Sequence, residues 1–317
     1  MSKGKVFVTD YGFPGLQQEC ELLNALGYEV YSTVSSTEEE IIANAGDADA
    51  LLVQWAPVTA KVIAHLHKCK VIVRYGIGVD NIDLEAAKKK AIPVCNVPDY
   101  CIHEVADHTI SLALALARQL TETNYRMKKG IWKIIPPHPM PAFRDMLFAT
   151  VGYGRIASEV LKRSASFGFA VGAYDPNITN EQMEASGVQP LTFEELISTA
   201  DIISLHLPLN EKTHHLINAE TIQKMKKGTI LLNTSRGGLI DTAALATALE
   251  ERRIVAGLDV FESEPLPETH PLWKSEHALL TSHTAWYSSR SVPALQYLAA
   301  EEVCRGLQGE ALKNRVA

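Results

Sequence analysis

One stretch near the middle of the chain constrains the fold more than any other. An apolar run at 148–151 is followed by Gly152-x-Gly154-x-x-Ala157 and then by a helical pattern at 158–166. In a dinucleotide-binding turn the first glycine permits the tight turn, the second lets a pyrophosphate approach the backbone, and the third position must be small. The helix N-terminus then offers free N–H groups to the phosphates. This succession predicts a parallel α/β domain that binds a dinucleotide.

An acid in the right place supports this interpretation. Asp175 ends the next predicted strand, at 170–174, about 20 residues beyond Gly154, where such domains carry the residue that binds the ribose hydroxyls. A carboxylate there would repel a 2′-phosphate, so the sequence favours NAD over NADP. Taken alone, Asp175 before Pro176 is typical of an ordinary turn.

The first hundred residues alternate between short apolar runs and helical patterns. We predict strands at 5–9, 29–32, 51–53, 71–73 and 92–94, and helices at 16–25 and 83–90. Thr37-x-x-Glu40 predicts a capping box for a further helix. The alternation predicts a parallel sheet with helices on both faces.

The pattern changes near residue 100 and then resumes. One long, mostly apolar helix is predicted at 103–120, and a crossover loop at 130–143, which has prolines at 136, 137, 139 and 141. A second series of strands follows at 148–151, 170–174, 202–205, 229–232, 255–258 and 278–280, with a last helix at 289–307. The expected fold is therefore α/β, with two doubly wound parallel-sheet domains.

Composition narrows the class of protein. The 317 residues carry a net charge of −7, which argues against a broad nucleic-acid-binding surface. The longest apolar run, near 112–117, is much shorter than the roughly 20 residues of a membrane span. The N-terminal residues show no apolar core of a signal peptide, and the five cysteines are scattered. We therefore expect a cytoplasmic protein with reduced thiols.

Four polar residues follow the late strands, at the edge where parallel sheets collect ligands. They are Arg236, Asp259, Glu264 and His283. Each has a common structural interpretation: a surface charge, a turn or a structural histidine. Together they suit the reduction of a 2-keto acid, in which a histidine supplies a proton, a carboxylate orients it and a guanidinium grips the substrate carboxylate.

Three segments resemble the D-isomer-specific 2-hydroxyacid dehydrogenase family, and the resemblance covers nearly the whole chain. They are LLNTSRGGLIDTAALATALEERRIVAGLDVFESEPLP at 231–267, RYGIGVDNID at 74–83 and NVPDYCIHEVADHTISLALALAR at 96–118. The resemblance implies an NAD(H)-dependent oxidoreductase that interconverts a small 2-keto acid and its D-2-hydroxy acid. It also implies a Rossmann NAD-binding domain at 100–286 and a flavodoxin-like, discontinuous substrate domain at 1–99 and 287–317.

The resemblance further implies the roles of individual residues. Arg236 would bind the carboxylate and keto oxygen, and Glu264 and His283 would form the acid/base pair, with His283 donating the proton. The implied cofactor-binding residues are Gly152, Gly154, Arg155, Ile156, Asp175, Leu207, Pro208, Thr213, Thr234, Ser235, Arg236, Asp259 and His283. The implied substrate-binding residues are Arg74, Ile77, Gly78, Arg236, His283 and Trp286. Arg74 is equally compatible with an ion pair inside its own domain.

The family architecture adds further expectations. Linkers near Asp99 and Trp286 would act as hinges beside an interdomain cleft that closes to exclude water. The long helix at 103–120 would help the NAD-binding domain form a homodimer. The residues that distinguish one 2-keto acid from another lie in loops such as 9–14 and 54–57, the second of which contains Trp55.

Some positions depart from the commoner family pattern and leave an alternative open. Ala157 replaces the usual glycine, and TSHTAWYS at 281–288 is similar to the C-terminal-binding-protein corepressors, which share this fold. Trp286 would then contact the substrate or only pack at the hinge. The alternative function is an NAD-sensing, dimerising binding protein. Formate dehydrogenase activity is disfavoured by Glu264, where those enzymes carry glutamine. His138, His214 and His215 show no convincing ligand spacing, so we predict no metal.

Overall fold

The computed structural model describes residues 2–35, 37–136 and 138–317, so the predicted loop proline at 137 lies outside the described residues. The chain forms two compact units, one of Met1–Cys101 with Tyr287–Ala317 and one of Ile102–Trp286. The first predicted boundary, at residue 99, differs slightly from the end of this unit at Cys101. No helix in the described part of the chain is long and apolar enough to cross a membrane.

The first unit is a five-stranded parallel sheet with helices. Its strands are β1 (Gly4–Val8), β2 (Tyr28–Ser32), β3 (Ala50–Val53), β4 (Val71–Arg74) and β5 (Val94–Cys95). Its helices are α1 (Gln17–Ala25), α2 (Glu38–Ala45), α3 (Ala60–His65), α4 (Leu84–Lys89) and, from the C-terminus, α12 (Ser291–Gln308). The strand order β2-β1-β3-β4-β5 is the flavodoxin-like order. The predicted capping box of Thr37 and Glu40 is confirmed at the start of α2.

The second unit contains a seven-stranded parallel sheet. Its strands are β6 (Leu147–Val151), β7 (Ala170–Tyr174), β8 (Gln189–Pro190), β9 (Ile202–Leu205), β10 (Thr229–Asn233), β11 (Ile254–Leu258) and β12 (Ala278–Leu280). Its helices are α5 (Ile102–Ala117), α6 (Leu120–Lys128), α7 (Arg155–Ser166), α8 (Asn180–Glu184), α9 (Phe193–Thr199), α10 (Ala219–Lys224) and α11 (Thr242–Glu250). The order β12-β11-β10-β9-β6-β7-β8 is the Rossmann order with one added strand.

The predicted fold class, two doubly wound parallel-sheet domains, is confirmed. One predicted element is wrong at its end: the helix predicted to reach residue 120 stops at Ala117, and a new helix begins at Leu120. The break falls at Gln119, whose φ of 49° is left-handed and whose side-chain amide donates to the carbonyls of His138 and Pro139. Apolar periodicity does not report a break of this kind, because apolar residues continue on both sides of it.

Buried apolar residues cover both faces of the seven-stranded sheet, and its inner strands are nearly all apolar. The pairing register places Asn233 beside Leu258 and Leu258 beside Leu280. The carboxyl ends of β10, β11 and β12 therefore lie together along one edge, and the polar residues that follow each strand are collected there.

Candidate functional site

The glycine turn joins β6 to α7 as predicted, and its two glycines are needed for different reasons. Gly152 has a φ of 97°, and a Cβ added there would lie 2.3 Å from the backbone oxygen of His206. Gly154 is the N-cap of α7, and a Cβ added there would meet nothing within 4 Å. Ala157 is fully buried on α7, where a small residue permits the helix to pack closely. The space beside Gly154 is what a pyrophosphate approaching the helix N-terminus requires.

Asp175 follows β7 and is tied to the same turn. One carboxylate oxygen accepts the backbone N–H of Tyr153 at 2.9 Å, and the other accepts the backbone N–H of Asn177 at 2.9 Å. An ionised carboxylate has about four acceptor sites, so capacity remains for ribose hydroxyls. Arg155 and Ile156 begin α7 directly after the turn. These residues fit the diphosphate and ribose of a dinucleotide.

The loop after β9 lies beside this turn and is held by its own side chains. The hydroxyl of Thr213 donates to the carbonyl of Pro208 at 2.7 Å and accepts the backbone N–H of Asn210 at 2.9 Å. This closes the loop that starts at Leu207. At its base, the ring of His206 contacts the hydroxyl of Ser204 at 2.9 Å, and burial lowers the pKa of His206 to about 4. His206 is therefore neutral near pH 7.

Arg236 follows β10 in a loop fixed by hydrogen bonds. The side chain of Asn233 donates to the carbonyl of Arg236 and accepts the backbone N–H of Ser235. The hydroxyl of Ser235 donates to the carbonyl of Leu205, which joins this loop to the end of β9. Thr234 pairs with Thr109 of α5, with 2.9 Å between their hydroxyl oxygens.

The next residue, Gly237, explains why this loop contacts the loop after β11. A Cβ added to Gly237 would lie 1.9 Å from the backbone carbonyl carbon of Phe261 and 2.3 Å from the backbone nitrogen of Glu262. The two backbones therefore touch at a point where no larger residue fits. The loop that carries Arg236 and the loop that carries Glu264 are held against each other.

Asp259 is fully buried, and its carboxylate organises the loop after β12. It accepts the hydroxyl of Thr281 at 2.6 Å and the backbone N–H groups of Thr284 and Ala285, each at 2.9 Å. His108 of α5 lies 2.9 Å from the Thr281 hydroxyl. Sequence reasoning missed His108, Thr281 and Asn233, because none belongs to a motif with a local signal.

Glu264 and His283 form the predicted pair. Nδ1 of His283 lies 2.6 Å from Oε2 of Glu264, so Nε2 of the same ring is left to exchange a proton with a ligand. His283 has a left-handed φ of 54°, a conformation in which strain is often retained at functional sites. Its backbone N–H donates to the carbonyl of Asp259 at 2.7 Å, and the indole N–H of Trp286 donates to its carbonyl at 2.8 Å.

Glu264 is ionised more readily than an ordinary glutamate. Burial opposes its ionisation, but the hydrogen bond and charge of His283, the backbone N–H of Phe261 and the charge of Arg236 together lower its pKa. A carboxylate is therefore available to hold the histidine ring in one orientation. Arg236, Glu264 and His283, predicted from three separate segments, lie on loops that meet at one edge of the sheet.

The predicted substrate-binding residues of the first unit lie together at the carboxyl end of β4. A Cβ added at Gly76 would lie 1.6 Å from Nη1 of Arg74, so the guanidinium covers the backbone just before Ile77 and Gly78. In the described part of the chain, no protein group accepts the backbone N–H of Ile77 or Gly78. Two amides beside a guanidinium are suited to a carboxylate.

His214, His215 and Glu262 come together although no metal was predicted. Their potential ligand atoms lie within 4.8 Å of one another. Nε2 of His215 is 2.5 Å from Oε1 of Glu262, and the other oxygen of Glu262 accepts the backbone N–H of Thr242 at 3.0 Å. A histidine–carboxylate pair at the start of α11 accounts for these contacts, and the expectation of no metal stays a prediction.

Comparisons with known proteins agree with this geometry. The D-isomer specific 2-hydroxyacid dehydrogenase NAD binding domain matches residues 110–285. A D-3-phosphoglycerate dehydrogenase of Methanocaldococcus jannaschii is 39% identical over 98% of this chain, which spans 59% of that relative's length. A glyoxylate reductase of Korarchaeum cryptofilum is 36% identical over 88% of this chain and 86% of its own.

A solved structure of D-lactate dehydrogenase from Aquifex aeolicus, complexed with NAD and lactic acid, superposes with a TM-score of 0.89. It is 27% identical and covers 98% of each chain. The turn at Gly152 and Gly154 and the acid at Asp175 indicate a dinucleotide-binding domain, and the matched family model says which family's domain it is. The chain belongs to the D-isomer specific 2-hydroxyacid dehydrogenase family, and residues 110–285 are its NAD-binding domain.

Proposed function

We propose that the protein is an NAD-dependent oxidoreductase that interconverts a small 2-keto acid and its D-2-hydroxy acid. The observation that carries the proposal is the distance of 2.6 Å between Nδ1 of His283 and Oε2 of Glu264. The loop of Glu264 also packs against the loop of Arg236. A histidine with one nitrogen held by a carboxylate and the other available is a general acid and base for carbonyl chemistry.

The chain's own residues account for the polar part of the reaction. Arg236 binds the substrate carboxylate and draws electron density toward the keto oxygen. When NADH is bound, it supplies the hydride that reduces the carbonyl carbon. As the carbonyl π electrons move to oxygen, His283 gives its Nε2 proton to that oxygen, and Glu264 stabilises the ring while it is charged. In the reverse direction, His283 takes the hydroxyl proton.

The proposed cofactor preference is NAD over NADP. The negative charge of Asp175 at the end of β7 supports it, because both carboxylate oxygens are anchored at the turn, where the ribose is expected. The alternative of an NAD-sensing corepressor-like protein has no support from the named relatives. They carry the names of enzymes.

We further propose that the protein is a homodimer that pairs through its second unit. None of the residues of α6 is buried, and the chain beyond it exposes Trp132, Ile134 and Ile135 by 77%, 90% and 82%. An apolar surface of this kind is typical of a protein interface. A second copy is the proposed partner, because closed twofold dimers are the commonest soluble assemblies.

The activity test is oxidation of NADH with a panel of 2-keto acids, including glyoxylate, for wild type, His283→Ala and Arg236→Lys. Removing the histidine should lower kcat by about 100-fold or more. Lysine cannot grip a carboxylate through two parallel hydrogen bonds, so Arg236→Lys should mainly raise KM. Turnover that is equal in wild type and His283→Ala for every acid would show that the proposed reaction is wrong.

A further inference from the structure

The loops at the carboxyl edge of the first unit carry one exposed aromatic side chain, Trp55, and very little positive charge. β1, β3 and β4 are neighbours in the sheet, so the loops at 9–16, 54–59 and 75–83 adjoin the end of β4, where Arg74 lies. These three loops contain no lysine or arginine, but they contain Asp10, Asp80 and Asp83. They also supply Tyr11 and Trp55, while Phe13 and Tyr75 of the same loops are buried.

Trp55 is held in place and yet half open. Its backbone N–H donates a hydrogen bond of 2.7 Å to the carboxylate of Asp10, which is only 7% exposed. The same carboxylate accepts the backbone N–H of Gln54 at 3.1 Å. The indole ring lies directly on Gly12, since a Cβ added there would be 2.6 Å from the ring. The side chain of Trp55 is nevertheless 53% exposed. A fixed aromatic face is thus available to a ligand.

Arg74 and Trp55 are connected through one carbonyl group. Nε of Arg74 donates to the carbonyl of Gln54 at 3.2 Å, and the side chain of Gln54 accepts the backbone N–H of Gly12 at 2.8 Å. Register also places Arg74 opposite Val53 in the neighbouring strand, two residues before Trp55. A carboxylate held at Arg74 and the amides of Ile77 and Gly78 would therefore have the indole beside it.

We propose that Trp55 is a specificity-determining residue and that the preferred substrate is an unphosphorylated 2-keto acid with an apolar or aromatic side chain. The inference rests on the proposed function and extends it to the substrate class. An indole face favours apolar and aromatic groups. A phosphate dianion beside Asp10 would face loops that carry carboxylates and no lysine or arginine, with Arg74 as the one cation at the carboxyl ends of these strands.

A second cation has to be considered at this edge. Arg290 is the N-cap of α12, and the first turns of that helix reach the loop after β1, since the Gln296 amide donates to the carbonyl of Gly15 at 2.9 Å. If Arg290 served a phosphate, phosphohydroxypyruvate would be a good substrate and Arg290→Ala would abolish that advantage. The test therefore includes this variant.

The experiment compares kcat/KM for glyoxylate, 4-methyl-2-oxopentanoate, phenylpyruvate and phosphohydroxypyruvate in the full chain. Wild type should prefer the two apolar acids to phosphohydroxypyruvate by at least about tenfold. Trp55→Ala should lower kcat/KM for the apolar acids by about tenfold, mainly through KM, and change the value for glyoxylate by less than about threefold. Trp55→Phe should retain most of the wild-type kcat/KM for the apolar acids. Phe167→Ala, which removes an aromatic side chain that is 49% exposed in the other unit, is the matched control and should change nothing.

The outcomes separate this inference from the proposed function. If no acid, including glyoxylate, is reduced faster by wild type than by His283→Ala, the proposed reaction itself fails. If glyoxylate is reduced but phosphohydroxypyruvate is preferred to the apolar acids, the reaction stands and the substrate class is wrong. Loss of that preference in Arg290→Ala would then show that Arg290 binds the phosphate. An equal loss for all acids in Trp55→Ala would show a structural role and would overturn the assignment of Trp55 to specificity.

Discussion

Glu264 gives the proposed acid/base pair a defined pH dependence. Its pKa is lowered from the usual 4.5, so it is mostly ionised above that value and loses its charge as the pH falls through the lowered pKa. Any contribution of this charge to the free energy of unfolding is present above the usual pKa and is lost as the pH falls through the lowered pKa. Glu264→Gln removes the charge at every pH, and we expect kcat to fall by about 100-fold.

The pH profile distinguishes this explanation from a general loss of structure. The ratio of wild-type to Glu264→Gln kcat should be large at every pH above 4.5, the usual glutamate pKa, and should approach one as lower pH protonates Glu264. A ratio close to one above pH 4.5 would contradict the role assigned to the Glu264 carboxylate. Glu181→Gln, a change of an exposed carboxylate on α8, is the matched control.

Asp175 determines the expected choice between the two nicotinamide cofactors. Replacing it with serine removes the charge that would repel a 2′-phosphate and also removes an acceptor for the ribose hydroxyls. Asp175→Ser should lower kcat/KM for NADH by about 10- to 100-fold and raise it for NADPH, since a hydrogen bond to a charged group contributes about 1.5–3 kcal/mol. Steady-state kinetics with both cofactors measure the change. If the ratio of kcat/KM for NADH to kcat/KM for NADPH is unaltered, Asp175 does not determine the choice of cofactor.

The residues of the site differ in how far a sequence can reveal them. Asp175 is predictable because its spacing from Gly154 follows from one strand, one helix and one more strand. The groups that donate to Asp259 are not predictable in this way, because the pairing of β11 with β12 is what brings Thr281 to it. The carboxylate of Asp10 beneath Trp55 is hidden for the same reason, since it joins the ends of β1 and β3.

At the scale of elements, the two glycines of the turn should behave differently when each is changed to alanine. Gly152→Ala places a Cβ against the carbonyl of His206 at a left-handed φ, so we expect the free energy of unfolding to fall by about 2 kcal/mol. Gly154→Ala meets no neighbour and should change stability by less than about 0.5 kcal/mol. It should nevertheless raise the Kd for NADH about tenfold or more.

Denaturant unfolding and NADH titration of both variants measure these effects. Each variant is the control for the other, because the chemical change is identical. Equal losses of stability would contradict the geometry of the turn, and unchanged NADH binding in Gly154→Ala would contradict the proposed approach of the pyrophosphate.

Long apolar runs predicted the central strands well, since a strand buried on both faces must be apolar along its whole length. β7, β9 and β12 have the predicted limits. β8 was missed because it is a two-residue edge strand that includes Pro190, and the short helices α8 to α10 were not identified individually. Their signals are capping residues such as Thr179 and Thr192, which are also common in turns.

At the scale of the whole molecule, the exposed apolar segment after α6 predicts self-association. Replacing both Trp132 and Ile134 with aspartate puts charges into the proposed interface and should convert a dimer into a monomer. Analytical ultracentrifugation measures the change. Phe167→Asp, a charge placed at another exposed aromatic position, should leave the dimer intact. A wild-type protein that sediments as a monomer would exclude the proposed interface.

The contact at Gly237 has a consequence for how proteins of this kind diversify. Because its backbone lies against Phe261 with no room for a side chain, a mutation of Gly237 would displace the loops of Arg236 and Glu264 together, and these two residues would be inherited as a pair. The indole of Trp55 lies on Gly12 but is 53% exposed, so its replacement disturbs no contact between two backbones. Descendants would therefore acquire new substrates by exchanging residues around position 55 while the reaction chemistry stays the same.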